Sequence, residues 1–357
     1  MEKKKQKTKS AQRKWMLVFL LINLAVVAYI AVDEYRKEAG SVTFIDIFEV
    51  KLGYLFLGVA CFCLGAYMLC LSFRKMLRLV TGQDCRRAGY ECALLGKYYD
   101  NVTPMGAGGQ PFQILYLKQS GFSNGASSAV PIMGFLTQQF AFILIAIVVF
   151  VANRNVIDAA TLVRVQAYVG FLFYAAVPAA VCVFAAFPKA FLSILNAITA
   201  LLTRLHIVKD RERSKEKITA VMDEYVSSLR IMWRRPVFLL GMLLLCVVYQ
   251  AAILSIPFFM LRAFGGTGNW WDTFSLVVYI YAAITIIPSP GNSGAAEGYF
   301  YAVFSQLQDG FLFWAVIGWR FLVYYMWLII GLIITARAAV RGTKSGDAPD
   351  TEEADEA

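Results

Sequence analysis

The chain has 357 residues, of which 59% are apolar and only 16% are charged, whereas about a quarter of the residues in a soluble domain are charged. This deficit of charge and a mean hydropathy of +0.59 exclude an ordinary soluble domain and indicate an integral membrane protein. The net charge of +10 could indicate nucleic-acid binding, but clustered basic loops more simply mark the cytoplasmic face of a membrane protein. Seven scattered cysteines without a histidine cluster predict neither a metal site nor a disulfide framework.

The N-terminal segment 1–14 carries seven basic residues and precedes the apolar run Trp15–Val32. A signal peptide is one interpretation of this pattern. The run is long for the apolar part of a signal peptide, however, and no clear cleavage site follows it. We therefore predict an uncleaved first span with the N-terminus in the cytoplasm.

Further apolar runs are long enough to be membrane spans, each of which needs about 20 residues. They are Leu52–Phe73, Ala129–Ala152, Ala167–Pro188, Val237–Leu261, Trp271–Ile287 and Phe311–Ala336. The seven crossings would place the C-terminus outside, yet the basic segment "ARAAVRGTK" after the last span indicates the cytoplasm. An eighth span, or paired half-crossings, is therefore required. The candidates are the Gly/Pro-rich stretches Leu94–Lys118 and Pro288–Gln308.

The segment 189–235 holds ten Lys/Arg against five Asp/Glu and is predicted to lie in the cytoplasm. Within it, Phe191–Leu205 and Asp210–Arg230 have apolar residues at helical spacing, which predicts two amphipathic helices on the membrane surface. Residues 15–340 are thus expected to form one transmembrane domain. The acidic segment 341–357 is expected to be a disordered tail.

Two stretches are too rich in proline and glycine for ordinary spans: "DNVTPMGAGGQPFQILYLKQSG" and "IIPSPGNSGAAEGYFYAVF". Irregular backbone at membrane depth is tolerated only where protein buries it or water reaches it, and such breaks in two halves of a transporter indicate its binding site. A helix is also predicted to start after each break. Pro111 is expected at the first position of the first helix, and Gly294 is expected to cap the second, with Glu297 in its first turn. Their free N–H groups suit an anion such as a lipid phosphate. The alternative is that the two stretches are turns that serve only the fold and bind no ligand.

Ionisable groups within spans point to functional sites. Arg320 lies about ten residues into the last span, where Glu297 or a lipid phosphate is its expected partner; a structural ion pair is the alternative. Lys97 and Asp100 precede the first break and could lie at a cavity mouth or among headgroups. The intramembrane glutamines are expected to connect helices rather than contact substrate; they are Gln138, Gln139 and Gln250. The candidate substrate-binding residues are Asp100, Asn101, Thr103, Pro104, Gly108, Gly109, Gln110, Pro288, Gly291, Gly294, Glu297 and Arg320.

The two broken stretches together resemble the flippase-like transmembrane domain of the lysylphosphatidylglycerol synthase family. The family pattern is Asn-x-Thr-Pro, then Gly-Gly-x-Pro, and later Pro-x-Pro-Gly-x-x-Gly-x-x-Glu. It falls here on Asn101, Thr103, Pro104, Gly108, Gly109, Pro111, Pro288, Pro290, Gly291, Gly294 and Glu297. Asn292 stands where family members often have glycine, which leaves that turn undefined. The spans and the two breaks predict an all-α polytopic membrane protein with about seven or eight transmembrane helices and two re-entrant segments, and they leave open whether its halves are inverted repeats. The resemblance implies a polytopic domain with re-entrant helices that moves lipids between leaflets, which we expect to lie in the cell membrane.

Three functions are then open for this protein. The first is translocation of an anionic phospho- or glycolipid whose headgroup enters a central polar cavity. The second is lysyltransferase-type aminoacylation of phosphatidylglycerol, the activity of the full-length synthases, which carry an additional soluble domain that we expect to be absent. The third is a membrane subunit that docks a separate synthase or transferase. We predict no catalytic residue, metal or cofactor and no tRNA partner, and we expect His206 to be solvent-exposed.

Overall fold

The computed structural model describes a helical membrane protein over residues 50–103, 106, 108–157, 161–187, 227, 230, 234–287, 291–292, 294–305 and 312–345. Within these residues the regular structure is helical. The helices are α1 (Leu52–Thr81), α2 (Arg86–Val102), α3 (Gly109–Gln119), α4 (Asn124–Ala152), α5 (Thr161–Ala186), α6 (Pro236–Ala263), α7 (Trp270–Ile284), α8 (Ala295–Phe304), α9 (Leu312–Arg320) and α10 (Met326–Ser345). A π-helical turn, Phe321–Tyr325, joins α9 to α10 without a break.

The described part of the chain contains five helices that are long and apolar enough to cross a membrane. They are α1, α4, α5, α6 and the continuous helix from α9 into α10, and they confirm the predicted all-α polytopic fold. Their outward faces carry large apolar side chains such as Phe56, Leu172 and Val237, which are more than half exposed. Such a surface is stable only against lipid. This is therefore a multi-pass membrane protein.

Helices α1 and α6 lie side by side along their whole length and run in opposite directions. The N–H of Lys51, at the start of α1, donates to the carbonyl of Ala263, at the end of α6 (3.0 Å). One glycine permits the close approach further along: a Cβ added to Gly65 would lie 3.4 Å from the carbonyl oxygen of Tyr249. This pair forms the central wall against which the broken segments pack.

The first broken segment is a helical hairpin, made of α2 and the shorter α3, which returns antiparallel to it. The Gln113 amide of α3 donates to the Cys92 carbonyl of α2 (3.0 Å), and the Tyr116 hydroxyl donates to Glu91 (2.7 Å). The Tyr99 and Phe112 rings stack nearer the turn, with centroids 3.7 Å apart. At about 1.5 Å of rise per residue, eleven residues of α3 span only about half of a bilayer core. We call α2–α3 the first hairpin and its turn, Asp100–Gly109, the first tip.

The second broken segment has the same form. Helix α7 has 15 residues, too few for a crossing. Helix α8 follows and turns back toward the end of the bundle where α7 began, because the Tyr299 hydroxyl of α8 donates to Gln166 (2.5 Å), close to the start of α5. We call α7–α8 the second hairpin and its turn, Thr285–Gly294, the second tip.

The two hairpins enter from opposite ends of the bundle. The first begins beside the end of α1, where Arg74 pairs with Asp84 (2.5 Å), and it ends just before α4 starts. The second begins beside the end of α4, where the Asn153 amide donates to Asp272 of α7 (2.8 Å). Since α4 crosses the whole bundle, the hairpins point toward each other, as in transporters built from inverted repeats.

This arrangement removes the disagreement between seven predicted crossings, which place the C-terminus outside, and its basic charge, which indicates the cytoplasm. The run Trp271–Ile287, predicted as a full span, is instead one arm of a hairpin, with its return arm in Pro288–Gln308. The first stretch, Leu94–Lys118, is likewise paired half-crossings. A hairpin returns the chain to its starting side, so the end of α10 lies on the same side as the end of α1 and the start of α6.

Some sequence predictions lie outside the described residues. They are the first span Trp15–Val32, nearly all of the amphipathic segment 189–235 including His206, and residues 346–357 of the acidic tail. Helix α10 reaches Ser345 and so includes the first residues of the segment that was assigned to the tail.

Candidate functional site

The two tips meet in the middle of the bundle. A Cβ added to Gly291 in the second tip would lie 3.2 Å from the carbonyl oxygen of Asn101 in the first tip. Beside this contact is a cavity of about 270 Å³. Its lining comes from both hairpins, from α4, α5 and α6, and from the continuous helix α9–α10 with its π-helical turn. Its polar or charged members are Lys97, Asp100, Asn101, Tyr174, Tyr249, Gln250, Tyr281, Thr285, Asn292, Arg320, Tyr324 and Trp327.

A second cavity, of about 290 Å³, lies next to the first. The two share six lining residues: Lys97, Asp100, Gly106, Tyr174, Gln250 and Asn292. The second cavity is also lined by Gln110, Gln113, Gln138 and Gln139. The polar volume at the tips is therefore a pair of adjoining compartments, one cationic and aromatic, the other rich in amides.

The first tip is held by its own polar side chains. Asp100 accepts a hydrogen bond from the Gly109 N–H (3.0 Å), at the start of α3. The Thr103 hydroxyl accepts from the Gly108 N–H (2.8 Å) and donates to the Tyr99 carbonyl (2.7 Å). The other carboxylate oxygen of Asp100 lies 3.6 Å from the Lys97 ammonium. A carboxylate thus caps the return helix and pairs with a cation that faces the cavity.

The second tip repeats this construction with different residues. Glu297 accepts from the Gly294 N–H (2.7 Å) and from the Arg320 guanidinium (2.6 Å), and a second ion-pair contact joins Arg320 Nε to Glu297 Oε1. Arg320 also donates to the Asn292 carbonyl (3.2 Å). Glu297 and Arg320 are 5% and 7% exposed, so both charges are removed from solvent and depend on each other. The predicted pairing of Arg320 with Glu297 and the predicted Gly294 cap are confirmed.

The turn of the second tip explains its residue types. Gly291, Asn292 and Gly294 all have positive φ, of 56°, 55° and 82°. Asparagine tolerates this left-handed backbone better than other side chains do. This is why Asn292 can stand where family members often have glycine.

Two details at the helix starts differ from the sequence prediction. Helix α3 begins at Gly109 rather than at Pro111, so Pro111 is the third helical residue, still within the first turn where its missing N–H leaves no bond unmade. The N–H groups of Gly108, Gly109 and Gly294 bond to side chains of this chain. They are therefore not free for a lipid phosphate in this conformation. Among the described lining residues, the positive charges belong to Lys97 and Arg320.

Both cations also lie over aromatic rings. The Lys97 ammonium is 5.6 Å from the centroid of the Tyr249 ring, and the Arg320 guanidinium is 4.9 Å from Trp319 and 5.7 Å from Tyr324. Cation–π attraction of this kind orients a charge within an apolar environment. It holds Lys97 and Arg320 at the cavity wall rather than letting them extend toward the membrane surface.

The structure brings most of the candidate residues together and divides them by position. Asp100, Asn101, Gly291 and Arg320 line the first cavity, and Gln110 lines the second. Thr103, Gly108, Gly109 and Glu297 shape the backbone behind them. Gly294 faces a separate space between α5 and α8. Pro104 and Pro288 lie outside the described residues.

Sequence reasoning missed the aromatic part of the lining. Its members are Tyr174, Tyr249, Tyr324 and Trp327, which sit far from the ends of their spans, and Tyr281, which lies near the tip end of the half-membrane helix α7. Tyrosine and tryptophan usually lie at the membrane interface, so their position near mid-span was the available signal. Lys97 was noted only as a residue of a possible cavity mouth.

The comparisons with known proteins identify the family. The family model described as "Lysylphosphatidylglycerol synthase TM region" matches residues 15–331, which include both hairpins and every cavity-lining residue discussed above. No match was found among curated proteins. The resemblance seen in the two broken motifs is thereby confirmed, and the chain belongs to the family of the lysylphosphatidylglycerol synthase transmembrane region, a family of membrane-spanning domains associated with lipids.

Proposed function

We propose that this protein translocates an anionic phospho- or glycolipid between the leaflets of the cell membrane, with the headgroup bound in the central cavity. One observation carries the proposal: two half-membrane hairpins enter from opposite ends, and their tips meet at a polar cavity lined by Lys97 and Arg320. A soluble enzyme needs no such arrangement, whereas transporters place their substrate sites at broken helices near the bilayer midplane.

The architecture supports access from both sides. In this proposal the tips act as gates: displacement of one tip would open the cavity toward the leaflet from which that hairpin enters, while the other tip stays in place. Irregular backbone is tolerated at this depth because the cavity and the neighbouring helices satisfy it. The two tips thus have the placement expected of alternating gates.

The charges of the site favour an anionic group. Lys97 and Arg320 line the first cavity, and Asp100 is the acidic residue among its described lining residues. Glu297 is not a lining residue of this cavity, but it pairs with Arg320 and offsets its charge. A phosphate next to two cations in a site of low dielectric gains more from each contact than it would in water.

The same reasoning orients the protein. Basic residues cluster at the end of the bundle where the first hairpin enters, and they include Arg74, Arg78, Arg86, Lys118 and Arg235. By the positive-inside rule this end faces the cytoplasm. The second hairpin then enters from outside, and the end of α10 is cytoplasmic. The predicted first span, Trp15–Val32, would place the N-terminus on the same side.

A reconstitution assay tests the proposal. The purified protein is placed in liposomes containing a trace of phosphatidylglycerol with a fluorescent headgroup-proximal label, and the label accessible to a membrane-impermeant quencher is followed in time. We expect loss of fluorescence from both leaflets with the wild type, and from the outer leaflet alone with Arg320→Ala or Glu297→Gln, each compared only as protein that thermal unfolding shows to be folded. Wild-type rates in both variants would remove those residues from the mechanism.

The aminoacylation alternative is tested on the same preparation. Liposomes with unlabelled phosphatidylglycerol are incubated with lysyl-tRNA, and the lipids are analysed by mass spectrometry. Formation of lysylphosphatidylglycerol without translocation would replace our proposal with lipid aminoacylation. Translocation without that product supports it.

A further inference from the structure

The amide-rich compartment contains glutamines whose hydrogen-bonding groups are not used by the fold. Gln110, Gln139 and Gln250 line it and form no side-chain hydrogen bond with any described residue. Gln138 donates to the Gly134 carbonyl (3.0 Å), while its buried carbonyl oxygen Oε1 has no partner among the described residues. Gln113 is the exception, since its amide supports the hairpin through Cys92.

Helix-connecting glutamines would bond to a neighbouring helix, because an unpaired amide in a membrane protein is costly. These four come from three different helices, α3, α4 and α6, yet they converge on one space instead of on each other. Each amide offers both a donor and an acceptor and carries no charge. A ligand with several hydroxyl groups, which are also donors and acceptors, satisfies such a set.

The compartment is poorly suited to a cationic headgroup. The carboxylate among its described lining residues, Asp100, already accepts from the Gly109 N–H and pairs with Lys97. Aromatic rings can also hold an ammonium group, but the aromatic residues of this compartment are Phe135 and Tyr174, and the Tyr174 ring already packs against Phe142 (centroids 4.9 Å apart). An added positive charge would therefore meet the Lys97 ammonium and, among the described lining residues, no unpaired carboxylate.

We propose that the adjoining cavities form one composite site for a phosphate ester with an uncharged polyhydroxyl headgroup, either a polyol or a sugar. The phosphate lies between Lys97 and Arg320 in the first cavity, and the hydroxyls bond to the amides of Gln110, Gln138, Gln139 and Gln250 in the second. This inference rests on the proposed lipid translocation and names its substrate class. It also excludes aminoacylated, cationic lipids as preferred ligands.

Binding measurements in detergent test the headgroup preference without requiring transport. Four dihexanoyl lipids with equal chains are titrated by calorimetry: phosphatidic acid, phosphatidylglycerol, phosphatidylinositol and lysylphosphatidylglycerol. We expect affinity to rise in the order of the first three and phosphatidylinositol to bind at least about tenfold more tightly than phosphatidic acid, as a few additional hydrogen bonds imply. Lysylphosphatidylglycerol should bind less tightly than phosphatidylglycerol.

The amides are tested by the double substitution Gln139→Leu with Gln250→Leu, which should reduce the preference for phosphatidylinositol over phosphatidic acid to about twofold, because two of the four amides remain. Gln119→Leu is the matched control, because Gln119 is exposed at the end of α3 and lies outside both cavities. It should leave the preference unchanged. If the double variant does not fold, Gln139→Leu alone should still reduce the preference by a few-fold.

The outcomes separate this inference from the proposed function. Equal affinity for phosphatidic acid and phosphatidylinositol, or tighter binding of lysylphosphatidylglycerol, would overturn the polyhydroxyl assignment even if translocation is observed. Binding of free inositol 1-phosphate as tightly as the lipid, with no translocation in liposomes, would preserve the headgroup class and overturn the lipid function. No measurable binding of any of these ligands would overturn the composite site itself.

Discussion

The two hairpin tips have the same construction but differ in how firmly they are held. In each, a carboxylate caps the return helix and pairs with a cation at the cavity wall. At the second tip the paired side chains of Arg320 and Glu297 are 8% and 6% exposed. At the first tip the side chains of Lys97 and Asp100 are 22% and 30% exposed and their charged atoms are 3.6 Å apart.

The same pair of a carboxylate and a cation can therefore serve two roles, stabilising the fold or binding a ligand. Arg320, in α9, also donates to the carbonyls of Gly291 (3.5 Å) and Asn292 (3.2 Å) in the second tip. Removing either Arg320 or Glu297 therefore leaves a buried charge without its ion-pair partner. Lys97 keeps access to the cavity, so its ammonium can exchange Asp100 for a ligand at a small cost. We therefore expect changes at the second tip to affect stability first and changes at the first tip to affect ligand handling first.

The largest expected effect comes from substituting alanine for the two carboxylates. Glu297→Ala leaves Arg320 buried and unpaired, which should cost about 3–5 kcal/mol of stability. Asp100→Ala removes mainly a helix cap, worth about 1 kcal/mol. Thermal unfolding in detergent measures both. Equal losses would show that the tips are held alike, contrary to the comparison.

The glycines of the two tips give the next effect. Gly291 and Gly106 both have positive φ, but a Cβ at Gly291 would lie 2.2 Å from the Tyr324 ring, whereas at Gly106 nothing lies closer than 3.9 Å. Gly291→Ala should cost about 3 kcal/mol, because ring overlap adds to backbone strain. Gly106→Ala should cost only about 1 kcal/mol, from strain alone.

The matched control for these glycine variants is Gly298→Ala, measured by the same unfolding experiment. Gly298 lies in helix α8, and a Cβ there would meet nothing within 4 Å. Alanine is the better helix former, so stability should rise by up to about 1 kcal/mol. A loss at Gly298 similar to that at Gly291 would mean that the second hairpin tolerates no added atom anywhere, and the specific contact between the tips would not be established.

A comparison of two lysine substitutions tests whether Lys97 binds the ligand. Lys97→Met removes a cavity cation while keeping a side chain of similar length, so translocation of the labelled lipid should fall at least about tenfold, the loss expected for one charge-assisted hydrogen bond. Stability should change by less than about 1 kcal/mol. Lys118→Met, on the exposed face of α3, is the control and should leave the translocation rate unchanged. Unaltered transport in Lys97→Met would place the ligand elsewhere.

Much of this arrangement was predictable because it depends on local chemistry. Proline and glycine cannot continue a span, so both breaks could be located, and the costs of burying a charge led from Arg320 to Glu297. The Gly294 cap could be predicted because a glycine three residues before a glutamate is a helix-start pattern. These inferences need only a few neighbouring residues or one strong energetic penalty.

What could not be predicted depends on distances between segments that are far apart in sequence. The run Trp271–Ile287 is apolar enough for a span, and it is a contact distant in sequence, that of Gln166 with Tyr299, that shows that the chain turns back after it. Likewise, nothing in the sequence places Gln139 and Gln250 in one cavity, although each was visible as a polar residue in a span. Hydropathy measures how apolar a segment is, but it does not show whether the segment crosses the whole membrane or turns back halfway.

The smallest effect is expected at the entrances of the hairpins. At the first, the Arg74 guanidinium donates to Asp84 (2.7 and 2.5 Å) and holds the pKa of that carboxyl well below its usual range. A carboxyl with a lowered pKa stabilises the fold above its unfolded value, about pH 4, and loses this contribution as the pH falls further. The stability difference between wild type and Asp84→Asn should therefore be constant from pH 7 to about pH 4 and shrink below it.

Salt distinguishes this entrance from the other one. The Arg74–Asp84 pair is near solvent, so raising the ionic strength should reduce the effect of Asp84→Asn at pH 7. At the second entrance the neutral Asn153 amide donates to Asp272 (2.8 Å) and to Ser275 (3.1 Å). The effect of Asn153→Ala should depend much less on salt, because no cation is removed. If both variants respond alike to salt in thermal unfolding, the first hairpin is not held at its entrance by charge, and its looser attachment must be sought at the tip alone.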